Sequence, residues 1–166
     1  MSGRGWRPPS WMYRDGRRPE TDDGYFENMT RIVFQSGLDW RMIGRKWPNF
    51  RQAFRGFDVE AVAAFGPEDV ERLMGDRGIV RNRGKIMATI HNAKEFLRIK
   101  DAHGSFRAYL NGLDKTKGWS RALRDIQRRF KWLGPTSVQL FLYTVGEDVG
   151  YPETGHRVRR HGARSP

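Results

Sequence analysis

The sequence predicts an all-α fold, and three observations lead to this prediction. Apolar residues recur at spacings of three and four along most of the chain, which is the periodicity of amphipathic helices. The segment Gly66-Pro67-Glu68-Asp69 is a helix start, with proline at the first position and two acids in the first turn. Neither heptads nor an internal repeat is present. With 166 residues, of which 37% are hydrophobic, the chain can form one compact domain or two small lobes that share a core.

Four helices follow from this pattern. The first is expected at about 22–36 and the second from Pro67 to the glycines at 75 and 78. A long amphipathic helix is expected from Lys85 to Lys100 and another around 123–130. Asp39 and Asp58 are interpreted as helix caps or first-turn acids. The residues that carry the periodicity are Phe26, Met29, Val33, Val70, Leu73, Met74, Ile86, Ile90, Ala93, Leu97, Leu123, Ile126 and Phe130.

Charge indicates a polyanionic partner. The formal net charge is +12 and the sequence pI is about 10.7, and Lys and Arg gain affinity by displacing counterions from phosphates. With no cysteine and four scattered histidines, we expect no disulfide, no metal and no cofactor. Neither a membrane span nor a signal peptide is evident, so we expect a soluble, cytoplasmic protein.

Composition divides the chain into three parts. Residues 1–20 form a basic arm rich in Gly, Arg and Pro, and its Trp6, Trp11 and Tyr13 predict that part of it docks. Residues 21–150 form the helical domain. Residues 151–166 form a basic tail.

The stretch KWLGPTSVQLFLY, from Lys131 to Tyr143, predicts a turn between two helices. The run 138–145 suits a buried helix or a strand, and Pro135 at a first helical position favours the helix. Gly134 would let a phosphate approach the unpaired N–H groups of that first turn. This hairpin, at 131–137, resembles a helix-hairpin-helix that holds a DNA backbone. An ordinary turn between helices remains the alternative. The candidate phosphate contacts are Lys131, Leu133, Gly134, Thr136 and Ser137.

Several segments, in order, resemble the 3-methyladenine DNA glycosylase I family of the helix-hairpin-helix glycosylase superfamily. They are PETDDGYFENM, FQSGLDW, FRQAFRGFDVEAVAAFGPEDVERLMGDRGIVRNRGKI and FKWLGPTSVQLFLY, and the similarity covers roughly residues 11–148. The resemblance implies an all-helical, two-lobed glycosylase of base excision repair. Such an enzyme extrudes a damaged base from duplex DNA and hydrolyses its N-glycosidic bond, leaving an abasic site. We expect a nucleoid-associated monomer.

The resemblance also suggests how the base is extruded and held. Leu38, after the flexible Gly37, matches the wedge that fills the gap in the duplex. Trp40 and Tyr13 match aromatic pocket walls, with Trp11 nearby, and such rings attract a cationic alkylated purine. The family's pocket glutamate falls on Ile32 when FQSGLDW is aligned without gaps. Gln35 is the polar candidate that could contact the base instead.

Other positions depart from the family or stay ambiguous. Arg14 stands where the first histidine of a zinc site is expected, so we predict no zinc. The catalytic carboxylate is assigned to Glu153, with Asp148 as the nearer alternative, although either could be only a solvated acid. Lys131 precedes the turn, so no lyase activity is expected. The basic turn at 78–85 contributes Arg81, Arg83 and Lys85, which are either phosphate contacts or merely exposed.

Two other functions remain open from the sequence. A relative that keeps the hairpin but has lost catalysis would bind DNA without releasing a base, and the replaced pocket glutamate supports this alternative. A basic RNA-associated module is the third possibility.

Overall fold

The computed structural model describes residues 9–153 and confirms the all-α prediction. It contains eight α-helices and one short 3₁₀ turn, Arg55–Phe57, and no strand is formed by the described residues. The helices are α1 Asp22–Gln35, α2 Trp40–Ala53, α3 Val59–Ala63, α4 Pro67–Met74, α5 Arg83–His103, α6 Phe106–Asn111, α7 Ser120–Arg129 and α8 Pro135–Thr144.

Side-chain caps set several helix starts where the sequence predicts them. Asp39 accepts a hydrogen bond from the Arg41 amide at 2.9 Å, and Asp58 accepts one from the Ala61 amide at 3.0 Å. Asn82 caps α5 at 3.0 Å and moves its start to Arg83, two residues before the predicted one. The ambiguous run after Pro135 is helical as α8.

The core is rich in aromatic residues and centres on α5, which packs against α1, α3, α4 and α6. Phe96 stacks on Phe106 with ring centroids 4.5 Å apart, and Phe26 meets Phe96 edge-on at 5.5 Å. Helix α8 packs against both α1 and α7. Its N-terminal turn lines one cleft together with Ser36, the residue that ends α1. This packing brings the hairpin and the wedge segment to the same end of the molecule.

Residues 9–20 pack against α1 and α8. The Tyr13 amide donates to the Thr144 carbonyl at 2.7 Å, and the buried Asn28 amide donates to the Trp11 carbonyl at 3.2 Å. Gly146 has φ +88°, and a Cβ there would lie 2.2 Å from the Arg17 carbonyl oxygen, so only glycine allows this close approach.

The division into arm, domain and tail stays a prediction. Trp6 and most of the basic tail lie outside the described residues, 9–153. Within this range, every helix is too short or too polar to cross a bilayer.

Candidate functional site

The turn between α7 and α8 has the form predicted for the hairpin. Gly134 is the exposed N-terminal cap of α8 and has no side chain that could cap the helix, and Pro135 has no N–H group. Lys131 is exposed, and Thr136 and Ser137 are half-buried. Leu133 differs from the prediction because its side chain is buried in the core, so only its backbone could contact a phosphate.

The predicted wedge lies next to the hairpin. Ser36 joins hairpin residues from Trp132 to Ser137 in lining one open cleft of about 480 Å³. Gly37 follows with φ +77°, and Leu38 is 36% exposed. A DNA duplex whose backbone lies on the hairpin would therefore contact the Leu38 loop at the same base-pair step.

Lys85 occupies a different place from the one predicted. Its side chain is buried, and its ammonium donates to the carbonyl oxygens of Ser36 at 2.8 Å and Phe34 at 3.1 Å. Burial lowers the pKa of Lys85. The ammonium supports the last turn of α1 below the wedge and is not free for a phosphate, which corrects the prediction for this residue.

The two arginines of the basic turn remain at the surface. Arg81 and Arg83 are exposed, and Arg83 forms an ion pair with Glu71 at 2.9 Å, which raises the pKa of Arg83. Their role as phosphate contacts stays a prediction.

Helix α5 holds the hairpin from below. Asn92 accepts from the Lys131 amide at 2.8 Å and donates to the Lys131 carbonyl at 3.2 Å. Trp132 has φ +66°, a conformation rare for a bulky residue, and its ring packs on Gly84, where a Cβ would lie 2.8 Å from the ring. These contacts fix the conformation of the turn.

The arginines approaching the hairpin on α7 have acidic partners. Arg121 pairs with Asp114 at 2.8 Å, and Arg128 pairs with Asp125 at 2.9 Å. The Arg121 pair ties α7 to the segment before it, whereas the Arg128 pair lies within α7. Arg124 and Lys131 are exposed.

One of the predicted pocket residues, Trp11, contacts a side chain that the sequence analysis missed, that of Arg31. The Arg31 guanidinium lies over the Trp11 ring at 4.4 Å and over the Trp47 ring at 5.2 Å. Its tip reaches Gly44, one turn along α2 from the half-buried Trp40. Gln35 follows Arg31 by one turn on α1. The sequence does contain a signal that could have revealed Arg31, namely a polar stripe at spacings of four formed by Glu27, Arg31 and Gln35.

The two α1 residues assigned to the pocket are both buried. Ile32 is 1% exposed and belongs to the core, and its match to the family's pocket glutamate stays a prediction. Gln35 is also 1% exposed, and its Oε1 has no hydrogen-bond partner. An unpaired buried amide is costly unless a ligand satisfies it.

Tyr13 is held by its neighbour Arg14. The Arg14 guanidinium lies 3.9 Å from the centre of the Tyr143 ring and donates to the Tyr143 carbonyl at 3.0 Å. Tyr13 itself pairs with Val145, next to the end of α8.

Among residues 9–153, no three His, Asp or Glu side chains are grouped so that they could hold a metal ion.

Both candidate catalytic carboxylates are exposed and follow α8. The Asp148 carbonyl accepts from the Trp119 indole at 2.7 Å, and Glu153 is the last described residue. They follow the C-terminal end of α8, whereas the hairpin lies at its N-terminal end, and a ten-residue helix is about 15 Å long. Their catalytic role stays a prediction.

A buried carboxylate nearby was not predicted. Glu147 is 2% exposed, and its Oε2 lies 3.4 Å from Arg18 Nε. The same oxygen makes no well-oriented hydrogen bond, so the contact is an ion pair only. It ties the arm to the segment after α8.

Comparisons with known proteins agree with this architecture. A family model described as methyladenine glycosylase matches residues 13–131. DNA-3-methyladenine glycosylase 1 of Escherichia coli (strain K12) is 46% identical over 83 residues, which cover 49% of this chain and 44% of that enzyme. The DNA-3-methyladenine glycosylase of Haemophilus influenzae (strain ATCC 51907 / DSM 11121 / KW20 / Rd) is 25% identical over 150 residues, covering 78% of this chain and 80% of the relative.

Solved structures of 3-methyladenine DNA glycosylase I also resemble this fold. A crystal structure of a variant of 3-methyladenine DNA glycosylase I in complex with 3-methyladenine superposes with a TM-score of 0.70, at 27% identity, over 86% of each chain. The Staphylococcus aureus 3-methyladenine DNA glycosylase I gives 0.68 at 25% identity, over 87% of this chain and 90% of that one. The family model matches well over half of the sequence, with the hairpin and wedge at one end of the fold. The chain therefore belongs to the methyladenine glycosylase family.

Proposed function

We propose that this protein is a DNA glycosylase of base excision repair that acts as a monofunctional hydrolase. It extrudes a modified base from duplex DNA, and water replaces the base at C1′ of the sugar, leaving an abasic site. A monomeric state and a cytoplasmic, nucleoid-associated location belong to the same proposal.

The shared cleft is the observation that carries this proposal. Ser36, next to the wedge loop, and the hairpin residues face the same open space. A phosphate bound at Gly134 would place the adjacent nucleotide beside Leu38, which can fill the gap that an extruded base leaves. The net charge of +12 favours the phosphate backbone as the ligand.

The transition state needs little help from a carboxylate when the base is cationic. An alkylated purine leaves with the electron pair of the C1′–N bond and departs uncharged, so the positive charge moves to the sugar. Asp148 and Glu153 remain proposed stabilisers of that charge. Aromatic walls at Trp40 and Tyr13 would hold the extruded base.

Duplex DNA treated with dimethyl sulfate tests this function. We expect released methylated base by chromatography, abasic sites that break only after alkali, and no adduct trapped by borohydride. The Trp40→Ala variant should release base at least about tenfold more slowly, because a stacking wall is lost. Strand breaks without alkali, or a trapped adduct, would contradict the hydrolase assignment.

A catalytically inactive DNA-binding protein is the second candidate. Ile32 in place of the family's glutamate and the exposure of both carboxylates favour it. It predicts tight duplex binding with no base released from any modified duplex, and the same assay separates the two candidates.

A further inference from the structure

Trp132, in the hairpin, combines two features that are unfavourable for folding. Its φ of +66° lies in the left-handed region, which glycine adopts freely and a bulky residue adopts only with strain. The residue is also 46% exposed, a property that only Leu38 and Met87 share among the large apolar residues in the range 9–153. A strained and exposed aromatic residue at a candidate binding site points to a function for its side chain.

The Trp132 ring is exposed and yet held in place. It packs on Gly84 at the start of α5, where a Cβ would lie 2.8 Å from the ring atom Cζ3. Asn92 bonds both backbone groups of the preceding residue, Lys131, so the backbone before the ring is fixed as well. A ring that is already ordered loses little conformational entropy when a ligand covers it, so this ring is suited to binding.

The surroundings of the ring indicate which ligand it meets. Trp132 lines the cleft of about 480 Å³ together with Ser36, Ser137 and the exposed helix cap Gly134. Lys131, the preceding residue, is exposed and adds a cation beside the cleft. An apolar ring next to hydroxyl groups, helix-terminal amides and a cation matches a DNA strand, in which the apolar faces of the sugars alternate with phosphates.

We propose that Trp132 is a further DNA-contact residue, whose ring packs on the deoxyribose next to the phosphate held at Gly134. A phosphate at this turn brings its own sugars close to a residue two positions earlier, whereas the bases point away into the stack. The Leu38 loop supplies the group that enters the stack, and Trp132 contacts the strand from outside. This inference rests on the proposed glycosylase function and adds an uncharged contact to the hairpin.

An uncharged contact with a sugar differs measurably from a phosphate contact. A Lys or Arg that binds a phosphate releases counterions, so its removal lowers the salt dependence of duplex affinity. A ring that packs on a sugar releases no counterion, so its removal should weaken binding by the same factor at every salt concentration. Because every nucleotide carries the same sugar, this factor should also be the same for duplexes of different sequence.

Binding of undamaged duplex DNA by Trp132→Gly tests the inference. Glycine adopts the φ at this position without strain, so the variant removes the ring and should keep the turn. We expect its affinity to be about fivefold to tenfold lower than that of the native chain, at low and at physiological salt alike. Trp132→Phe keeps a planar ring and should retain most of the affinity. Lys131→Ala, at the neighbouring residue, should instead lower the salt dependence.

A second variant keeps the ring but moves it. Gly84→Ala places a methyl group where the Trp132 ring packs, and alanine favours a helix more than glycine, so α5 should stay stable. The displaced ring should weaken duplex binding, and this variant decides the question if Trp132→Gly does not fold. Acrylamide quenching gives an independent measurement. Duplex should protect the part of the fluorescence that the native chain has and Trp132→Phe lacks.

The results separate this contact from the function on which it rests. Weaker duplex binding by Trp132→Gly, with an unchanged salt dependence, supports the inference. Native affinity in that variant overturns the inference and leaves the glycosylase function intact, and so does a loss of affinity that varies with duplex sequence or with salt. A native chain that neither binds duplex nor releases a methylated base overturns the glycosylase function and this inference together.

Discussion

The Arg14 guanidinium lies 3.9 Å above the ring of Tyr143 and bonds to that residue's own carbonyl at 3.0 Å. The side chain joins the N-terminal arm to the outer face of α8, at the position where the family resemblance expects a zinc ligand. Tyr13, the proposed pocket wall, is the adjacent residue. The placement of Tyr13 therefore depends on the contact between the Arg14 guanidinium and the Tyr143 ring.

Replacing Arg14 should loosen the arm. The Arg14→Ala change removes a cation–π contact and a hydrogen bond, so we expect the free energy of unfolding to fall by about 1–2 kcal/mol. KM for modified duplex should rise more than kcat falls, because Tyr13 is less often in place. Urea titration and steady-state base release measure the two effects. Equal losses in Arg14→Ala and Arg14→Lys would argue against the ring contact.

The wedge should act on extrusion and leave folding alone. Leu38 is 36% exposed, so Leu38→Ala should change stability by less than about 0.5 kcal/mol. It should slow base release by roughly tenfold or more, because nothing fills the gap in the duplex. Met87→Ala, at another exposed apolar side chain, is the matched control. Unchanged release in Leu38→Ala would remove the wedge from the mechanism.

The buried ammonium of Lys85 should matter for stability more than for DNA affinity. Lys85→Met keeps the length of the side chain but leaves the carbonyls of Phe34 and Ser36 without their donor, at a cost of about 1–3 kcal/mol. The salt dependence of duplex binding should stay the same, because no phosphate contact is lost. Chemical denaturation measures the loss of stability, and duplex binding at several salt concentrations measures the salt dependence. If Lys85→Met kept native stability but its duplex binding depended less on salt, Lys85 would be a phosphate contact after all.

Acid should loosen the segment between α6 and α7 through Asp114. Hydrogen bonds from the Thr116 side chain and amide, and then from Arg121, hold the pKa of Asp114 down to about 2. The ordinary pKa is near 4 when the chain is unfolded, so this stabilisation is present above about pH 4 and is lost as the pH falls towards 2. Asp114→Asn should flatten the pH dependence of stability in that window. An identical pH profile in the variant would contradict this account.

The sequence predicted helix positions well because caps and periodicity are local. Asp39 and Asp58 cap the helices they precede, and the helix from Asp22 ends within one residue of the expected place. The burial of Lys85 was not predictable in this way, since its partners lie 49 and 51 residues away along the chain. A run of basic residues does not reveal which one turns inward.

Prediction of the candidate site from the sequence was limited in the same way, because contacts between distant segments are not visible in the sequence. The hairpin is a contiguous segment, so a Gly-Pro pair after basic residues was enough to find it. Arg31 depends on Trp11 from the arm and Trp47 from α2, a convergence that only the packing of the three segments creates. Gln35 was expected to be a polar contact for the base, and its burial was not predictable from α1 alone, because it depends on how the other helices pack on α1.

The central claim is that the turn at Gly134 grips the duplex while the wedge beside it extrudes a base. Single-turnover base release and duplex affinity, measured together for the native chain and Gly134→Ala, test it most directly. Gly134 has φ −79°, and a Cβ there would meet nothing within 4 Å, so the variant should keep its stability. We predict that the native chain releases base and that Gly134→Ala binds duplex about tenfold more weakly, because the methyl group crowds the phosphate. Native binding without release, or unchanged affinity in the variant, would contradict the account.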